Sequence, residues 1–137
     1  MRFVISKEMK IELTKDQQKQ LSSKEKINKA IRSNKVIAFD IYEEDNLVGF
    51  AMLRKYKTGY FLWDYAIDYK YQNKGYGYKA LIEMAKILKE KYKVNEMSTT
   101  YKWGNEHAKH VYEKVGFIET SIVDEDDVHE VNMIYRF

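Results

Sequence analysis

The chain of 137 residues contains no cysteine and no proline, and only six glycines. The lack of cysteine excludes thiolate nucleophiles, cysteine-ligated zinc and disulfide bonds, and it is typical of a reducing compartment. No apolar run approaches the ~20 residues that span a bilayer, and the first ten residues have no long apolar stretch of the secretory kind. We therefore expect a cytoplasmic protein without a membrane partner.

The length and the 45% hydrophobic content predict a single domain over residues 1–137 with one closed core. The net charge of +3 hides a basic excess in residues 1–35, which hold ten Lys or Arg against four Asp or Glu. Lysines spaced through a helical pattern are more often a solvated helix face than a nucleic-acid surface. We expect no nucleic-acid partner.

Capping signals and hydrophobic periodicity predict the elements. Two capping boxes, Thr14 with Gln17 and Ser22 with Glu25, predict helices over residues 14–21 and 23–33. Three β-rich segments predict an antiparallel meander, and two amphipathic segments predict further helices, the second capped by Asn105 and ended by Gly116. The expected strands are a short one within residues 1–9, then 36–42, 47–56, 60–68, 94–101, 117–122 and 128–136, and the expected later helices are 78–92 and 104–116.

Two of the few glycines, Gly75 and Gly77, stand in the segment YQNKGYGYKAL, where a polar loop leads into a predicted helix. The first amides of a helix have no internal partner and carry a partial positive charge. Glycines at alternate positions let an anion approach that backbone, so the segment is a candidate pyrophosphate site. The alternative is a loop whose glycines only turn the chain.

Three phosphate-binding patterns compete for this segment. No G-x-x-x-x-G-K-[ST] string occurs in the chain, which excludes a Walker loop. Residues 75–80 fit a relaxed dinucleotide fingerprint, but no further strand–helix units follow to complete a doubly wound sheet. The third pattern, Gln72-x-x-Gly75-x-Gly77 after a strand, resembles the acetyl-CoA signature of the GNAT superfamily of N-acetyltransferases.

A second block of the sequence supports that resemblance. Asn105, Ala108 and Tyr112, followed by Gly116-Phe117, are similar to the later motif of the same superfamily, and their spacing puts the first three on one helix face. The resemblance covers residues 36–137. It implies an α/β (α+β) fold, a mixed and mostly antiparallel twisted sheet of six to seven strands flanked by about four helices.

The resemblance also implies acetyl-CoA as cofactor, lying where two strands splay apart. Its pantetheine arm would pair with the backbone near residues 66–68, and its pyrophosphate would rest on residues 72–78. Asn73 stands where the family usually has glycine, but asparagine tolerates left-handed geometry. The expected cofactor-binding residues are Ala66, Ile67, Asp68, Gln72, Asn73, Lys74, Gly75, Tyr76, Gly77, Tyr78 and Asn105.

Two residues are candidates for proton transfer. By the resemblance, Tyr112 would protonate the leaving thiolate, although a core tyrosine is the alternative. An alkyl amine is protonated at pH 7, and neutralising it costs roughly 4–5 kcal/mol. Asp64 is the best-placed base, since strand alternation puts it on the face of Ala66 and Asp68, although an outward-facing or substrate-binding carboxylate is the alternative. Without cysteine, direct transfer in a ternary complex is favoured over an acetyl-enzyme.

Within the superfamily, the segments NLVGFAM, KYQNKGYGYKAL and GNEHAKHVYEKVGF resemble the bacterial spermine/spermidine (diamine) acetyltransferases. This implies a small primary amine as substrate, of the polyamine class, and a homodimer. The N-terminal segment is shorter than in that group, so we expect its first helix, which often shapes the acceptor pocket, to be missing or rebuilt. Transfer to an amino acid, antibiotic or protein amine stays open, as does a non-catalytic module that binds acyl-CoA or nucleic acid. His107 and His110 lack a third ligand, so we expect no metal.

Overall fold

The computed structural model describes all 137 residues, and seven strands form one sheet in the order β1-β2-β3-β4-β5-β7-β6. All neighbouring strands are antiparallel except β4 and β5, which are parallel. The predicted mixed, mostly antiparallel sheet with four helices is confirmed. The elements are β1 (Arg2–Ile5), α1 (Lys15–Gln20), α2 (Lys24–Ala30), β2 (Val36–Glu43), β3 (Asn46–Tyr56), β4 (Gly59–Ile67), a 3₁₀ turn (Tyr69–Tyr71), α3 (Tyr76–Glu90), β5 (Glu96–Lys102), α4 (Glu106–Val115), β6 (Ile118–Glu125) and β7 (Val128–Arg136).

The sheet buries apolar side chains on both faces. Side chains along a strand alternate between faces, so on β3 Ala51 belongs to one core while Phe50 and Met52 belong to the other. The larger core contains residues of α3 and α4, and the smaller one contains Ile27 of α2 and residues of the segment before α1. The N-terminal helices and the later helices therefore cover opposite faces.

Several predicted boundaries are corrected by the structure. The capping box of Thr14 and Gln17 is present, but α2 is capped by Ser23, whose hydroxyl accepts from the Lys26 amide, and not by Ser22. Helix α2 also ends at Ala30 rather than residue 33, and α3 covers Tyr76–Glu90 rather than residues 78–92. Strand β5 begins two residues later than expected, and β6 extends to Glu125. Asn105 and Gly116 cap α4 as predicted.

The segment before α1 fixes that helix to the end of β4. The Glu12 amide donates to Asp68 Oδ2 over 2.9 Å, and the Glu12 carbonyl accepts from the Tyr69 amide over 3.1 Å. Helix α1 itself has no buried residue, so these contacts and its polar bonds decide its position. None of the helices is long and apolar enough to cross a bilayer.

Candidate active site

Strands β4 and β5 separate at their carboxyl ends. They pair from Gly59 with Glu96 to Leu62 with Thr99, and beyond that point the pairing stops. The Thr99 hydroxyl donates to the Leu62 carbonyl over 3.2 Å at the point of separation. Beyond Leu62, β4 therefore has no neighbouring strand on the β5 side, although it remains paired with β3 on the other.

A bulge in β4 marks the same point. Met52 of β3 pairs with Asp64 and Leu53 pairs with Leu62, so Trp63 is an extra residue in β4. Such an extra residue bends the strand and increases its twist. The bulge explains why β4 turns away from β5 one residue after their last pair.

Two adjoining cavities fill the gap. One is lined by Asp64, and we call it the Asp64 cavity; its volume is about 440 Å³. The other is lined by Ile67, and we call it the Ile67 groove; its volume is about 500 Å³. Six residues line both cavities, namely Gln20, Leu21, Tyr65, Asn105, Ala108 and Tyr112. The predicted shared face of Asn105, Ala108 and Tyr112 is confirmed, and it faces the gap between the strands.

Asp64 is a buried carboxyl with one free oxygen. Its side chain lines the Asp64 cavity at 4% exposure, Oδ1 accepts from the Ser22 amide over 2.8 Å, and Oδ2 has no partner. Burial raises the pKa of the Asp64 carboxyl above its ordinary value, and hydrogen bonds from Ser22 counteract part of that rise. A raised pKa and a free oxygen suit a group that accepts a proton from a ligand in the cavity.

Tyr112 lines the same cavity from α4 and is also buried. Burial raises the pKa of its hydroxyl, a hydrogen bond with Thr99 lowers it, and the charge of Asp64 raises it. The net shift is upward, so Tyr112 is protonated at neutral pH and can donate a proton. Tyr65 contacts the start of α3 instead, because its hydroxyl donates to the Gly77 carbonyl over 2.6 Å.

The glycine segment adopts the geometry that its sequence predicts. Asn73 and Gly75 have left-handed backbones with φ of 62° and 80°, and Gly75 is the residue before α3. The first amide to bond within the helix is that of Lys79, to the Gly75 carbonyl, and no side chain caps the helix start. A side chain at Gly75 would meet no atom within 4 Å, so the space beside the start of α3 is open, and no helical bond uses the amides of residues 76–78.

The remaining residues that the sequence singles out differ in whether they line a cavity. Asp68 lines neither cavity, because its carboxylate accepts from the Glu12 and Lys70 amides and its own amide donates to Val48. Asn73 and Lys74 are exposed in the loop. Glu130 lines the Asp64 cavity, and His107 lines the Ile67 groove.

The sequence did not indicate that the N-terminal helices form one wall of both cavities. Gln20, Leu21 and Ser22 lie at the corner between α1 and α2, opposite the bulge. Their capping pattern predicts helices but carries no signal for a contact with a strand about forty residues later. The N-terminal segment, where we expect the first helix of the family to be missing or rebuilt, folds as the two short helices α1 and α2.

The residues fit the cofactor that the sequence suggests. The end of β4 has no strand partner on the β5 side, and α3 begins with free amides beside Gly75. Together these backbone groups suit a carrier with an amide-containing arm and a diphosphate. The sequence profile of the acetyltransferase (GNAT) family matches residues 5–117. The chain belongs to this family of acetyltransferases, and acetyl-CoA is its cofactor.

Solved structures of one enzyme share this fold. A point mutant of the spermidine N-acetyltransferase SpeG from Vibrio cholerae superposes with a TM-score of 0.71 at 20% identity, over 82% of this chain and 72% of that chain. The complex of the Vibrio cholerae enzyme with CoA and spermine gives 0.68 at 19% identity, over 82% and 72%. Its dodecameric form gives 0.67 at 19%, over 82% and 71%. Comparison of the sequence with curated proteins finds no match.

Proposed function

We propose that the protein transfers the acetyl group of acetyl-CoA directly to a primary amine of a small molecule, of the polyamine class, in a ternary complex. The observation that carries this proposal is the free Oδ2 of buried Asp64, which lines one cavity with Tyr112 where β4 and β5 part. When bound, acetyl-CoA supplies the thioester that the amine attacks. The cytoplasmic location expected from the lack of cysteine belongs to the same proposal.

Backbone groups hold the cofactor in this proposal. The Asp68 amide is bonded to β3, and successive residues of an antiparallel strand point to opposite sides, so the polar groups of Ile67 point into the gap. Ile67 then pairs with the pantetheine arm, whereas the backbone groups of Ala66 point to its partner Phe50 on β3, and Asp68 fixes the turn through its own bonds. The amides from Gln72 to Tyr78 receive the diphosphate, with Asn73, Lys74, Gly75, Tyr76 and Gly77 forming the loop and helix start between them.

Two side chains move protons in this proposal. Asp64 Oδ2 accepts the proton that the ammonium substrate must lose, since Oδ1 is held by Ser22. Tyr112 Oη holds the proton that the leaving sulfur requires, and its raised pKa keeps that proton available. Asn105 uses Oδ1 to cap α4 through the Ala108 amide, which leaves its amide group to face the cofactor.

The polyamine class is supported by charge and by the comparisons. Glu130 lines the same cavity as Asp64, so a substrate with more than one ammonium group meets a carboxylate at each of two places. The Vibrio cholerae enzyme with the same fold was solved with CoA and spermine. An aromatic side chain, that of Trp63, is 41% exposed beside the cavity and offers a cation–π surface.

Titration calorimetry with acetyl-CoA, followed by a thiol-release assay over a panel of amines, tests this function. The panel pairs spermidine with a monoamine of equal length, an amino acid and a peptide N-terminus. We expect micromolar cofactor binding and the highest kcat/KM for the polyamine. Absence of binding at millimolar acetyl-CoA contradicts the whole proposal, and a preference for the amino acid contradicts the substrate class.

A homodimer is part of the proposal as well. Strand β6 is the outermost strand of the sheet, and it exposes Ile118 at 57% and Ile122 at 59%. An exposed apolar edge strand offers backbone and side chains to a second copy. Light scattering coupled to gel filtration is expected to give twice the chain mass, and Ile122→Glu is expected to give a monomer. A monomeric wild type contradicts this part.

A further inference from the structure

Helix α1 reaches across the gap between β4 and β5. At its start, Gln17 Nε2 donates to the Ile67 carbonyl of β4 over 2.8 Å. At its end, the Lys19 carbonyl accepts from Lys102 Nζ, at the end of β5, over 3.1 Å. The helix is six residues long and buries none of them, so polar contacts rather than a core hold it there.

The Ile67 carbonyl has no free acceptor position. Besides Gln17, it accepts from Gln72 Nε2 over 3.3 Å, and a carbonyl oxygen has two lone pairs. The carbonyl points into the gap, where the proposed cofactor would need it for its pantetheine amide. An additional amide donor therefore has to replace one of the two glutamines.

The Gln17 bond is the shorter of the two, at 2.8 Å against 3.3 Å, but Gln17 is the donor whose element is free to move. Its helix is exposed, whereas Gln72 lies on the loop between β4 and α3 that the diphosphate would order. We propose that Gln17 competes with the cofactor for the Ile67 carbonyl, so that binding of acetyl-CoA displaces the Gln17 amide and loosens α1. This inference rests on the proposed function, because it needs the cofactor in the Ile67 groove.

The release of Gln17 also affects the helix itself. Its Oε1 accepts from the Thr14 amide while Thr14 Oγ1 accepts from the Gln17 amide, which is a reciprocal capping box. A side chain that swings away from Ile67 loses its half of this cap. The Leu21-Ser22 corner that follows α1 holds Asp64, so the cofactor and the proton-accepting side of the cavity are linked through one glutamine.

Calorimetry with coenzyme A tests the competition through Gln17→Met, which keeps the length of the side chain and removes its donor. We expect the dissociation constant of Q17M to fall about threefold to tenfold below that of the wild type, the fold-change that one net hydrogen bond represents. Gln18→Met is the matched control, because Gln18 is a neighbouring glutamine of α1 whose amide donates to the Leu13 carbonyl outside the groove. Q18M is expected to bind as the wild type does.

Two further measurements separate competition by Gln17 for the Ile67 carbonyl from a general loosening of α1. Thr14→Ala removes the other half of the cap but keeps the Gln17 amide, and it is expected to change the affinity less than twofold. Hydrogen exchange of residues 14–21 is expected to speed up when coenzyme A binds to the wild type.

An unchanged or weaker affinity of Q17M, equal tightening by T14A, or slower exchange of α1 in the complex overturns the inference. Each of these leaves the proposed function standing, since coenzyme A still binds. Absence of binding to every variant overturns both.

Discussion

Replacement of Asp64 by asparagine separates proton transfer from folding. Asparagine keeps an oxygen for the Ser22 amide and fills the same volume, but it cannot accept a proton at the position of Oδ2. Neutralising an alkyl ammonium at pH 7 costs roughly 4–5 kcal/mol, and this sets the ceiling for what a base contributes. We expect kcat/KM of D64N to fall by about 10² to 10³, within the range for loss of general-base catalysis.

The pH dependence makes the prediction specific. In the wild type, kcat/KM is expected to rise as pH increases through the raised pKa of Asp64, because only the ionised carboxylate accepts the proton. In D64N that rise is lost, and the rate is expected to grow about tenfold per pH unit up to the pKa of the amine, as free amine replaces ammonium. The difference between the two proteins therefore shrinks towards about pH 10.

D64N is expected to lose activity but to gain stability relative to the wild type as pH rises. A carboxyl whose pKa is raised by folding contributes stability below its unfolded pKa and loses it as pH rises through the folded value. The asparagine side chain of D64N carries no such charge, so Tm of D64N relative to wild type is expected to increase as pH rises from about 4, the ordinary pKa of an aspartate, through the raised pKa of folded Asp64. Thiol release and thermal melts across pH are the measurements, and Glu130→Gln is the control in the melts, because Glu130 is an acid that lines the same cavity. Activity of D64N within threefold of wild type at pH 7 refutes the role of Asp64.

The remaining predictions concern the tyrosine, the strand pairing and the point where β4 and β5 part. Tyr112→Phe is expected to lower kcat by about 10² or more while calorimetry gives unchanged cofactor affinity, and a normal kcat contradicts its role as proton donor. Gly59→Ala puts a Cβ into the Glu96 carbonyl oxygen, well inside van der Waals contact, and we expect a loss of more than about 2 kcal/mol in denaturant unfolding. Gly77→Ala is its control, since the nearest atom lies 3.8 Å away; equal stability loss by both contradicts the packing argument. Thr99→Val removes a buried hydroxyl that bonds a carbonyl, so about 1–3 kcal/mol of stability is expected to be lost, and Thr99→Ser should restore most of it.

Local signals were sufficient for most of the elements. Asn105 and Gly116 mark the start and the end of α4, and Asn73 and Gly75 adopt left-handed backbones. Both features were predictable because caps and turns depend on a few neighbouring residues. The capping box of Ser22 with Glu25 predicts the cap of α2 one residue early, because Ser23, which caps the helix, is followed three residues later by Lys26 and does not fit that pattern. Ser22 is instead used in a contact with Asp64, and such a contact has no local signature.

The candidate site was only partly accessible from the sequence. Motif spacing suggests Tyr112 and the glycine segment, and strand alternation suggests Asp64, whereas the bulge at Trp63 and the wall formed by α1 depend on long-range pairing. The bond from Gln17 to Ile67 spans fifty residues, and no periodicity predicts it. For Asp68, the position in the sequence predicts a contact with the cofactor. Its carboxylate oxygens instead accept from the Glu12 and Lys70 amides and fix the turn.

The corner between α1 and α2 has a consequence for how such a protein acquires new substrates. Residues 20–22 line the Asp64 cavity, yet they belong to a stretch that supplies no strand and lies outside the glycine loop. Ser22 lines that cavity alone, whereas Gln20 and Leu21 line the Ile67 groove as well. Exchange at position 22 between homologues is therefore expected to alter acceptor choice, and exchange at positions 20 and 21 is expected to alter the affinity for the acyl donor too.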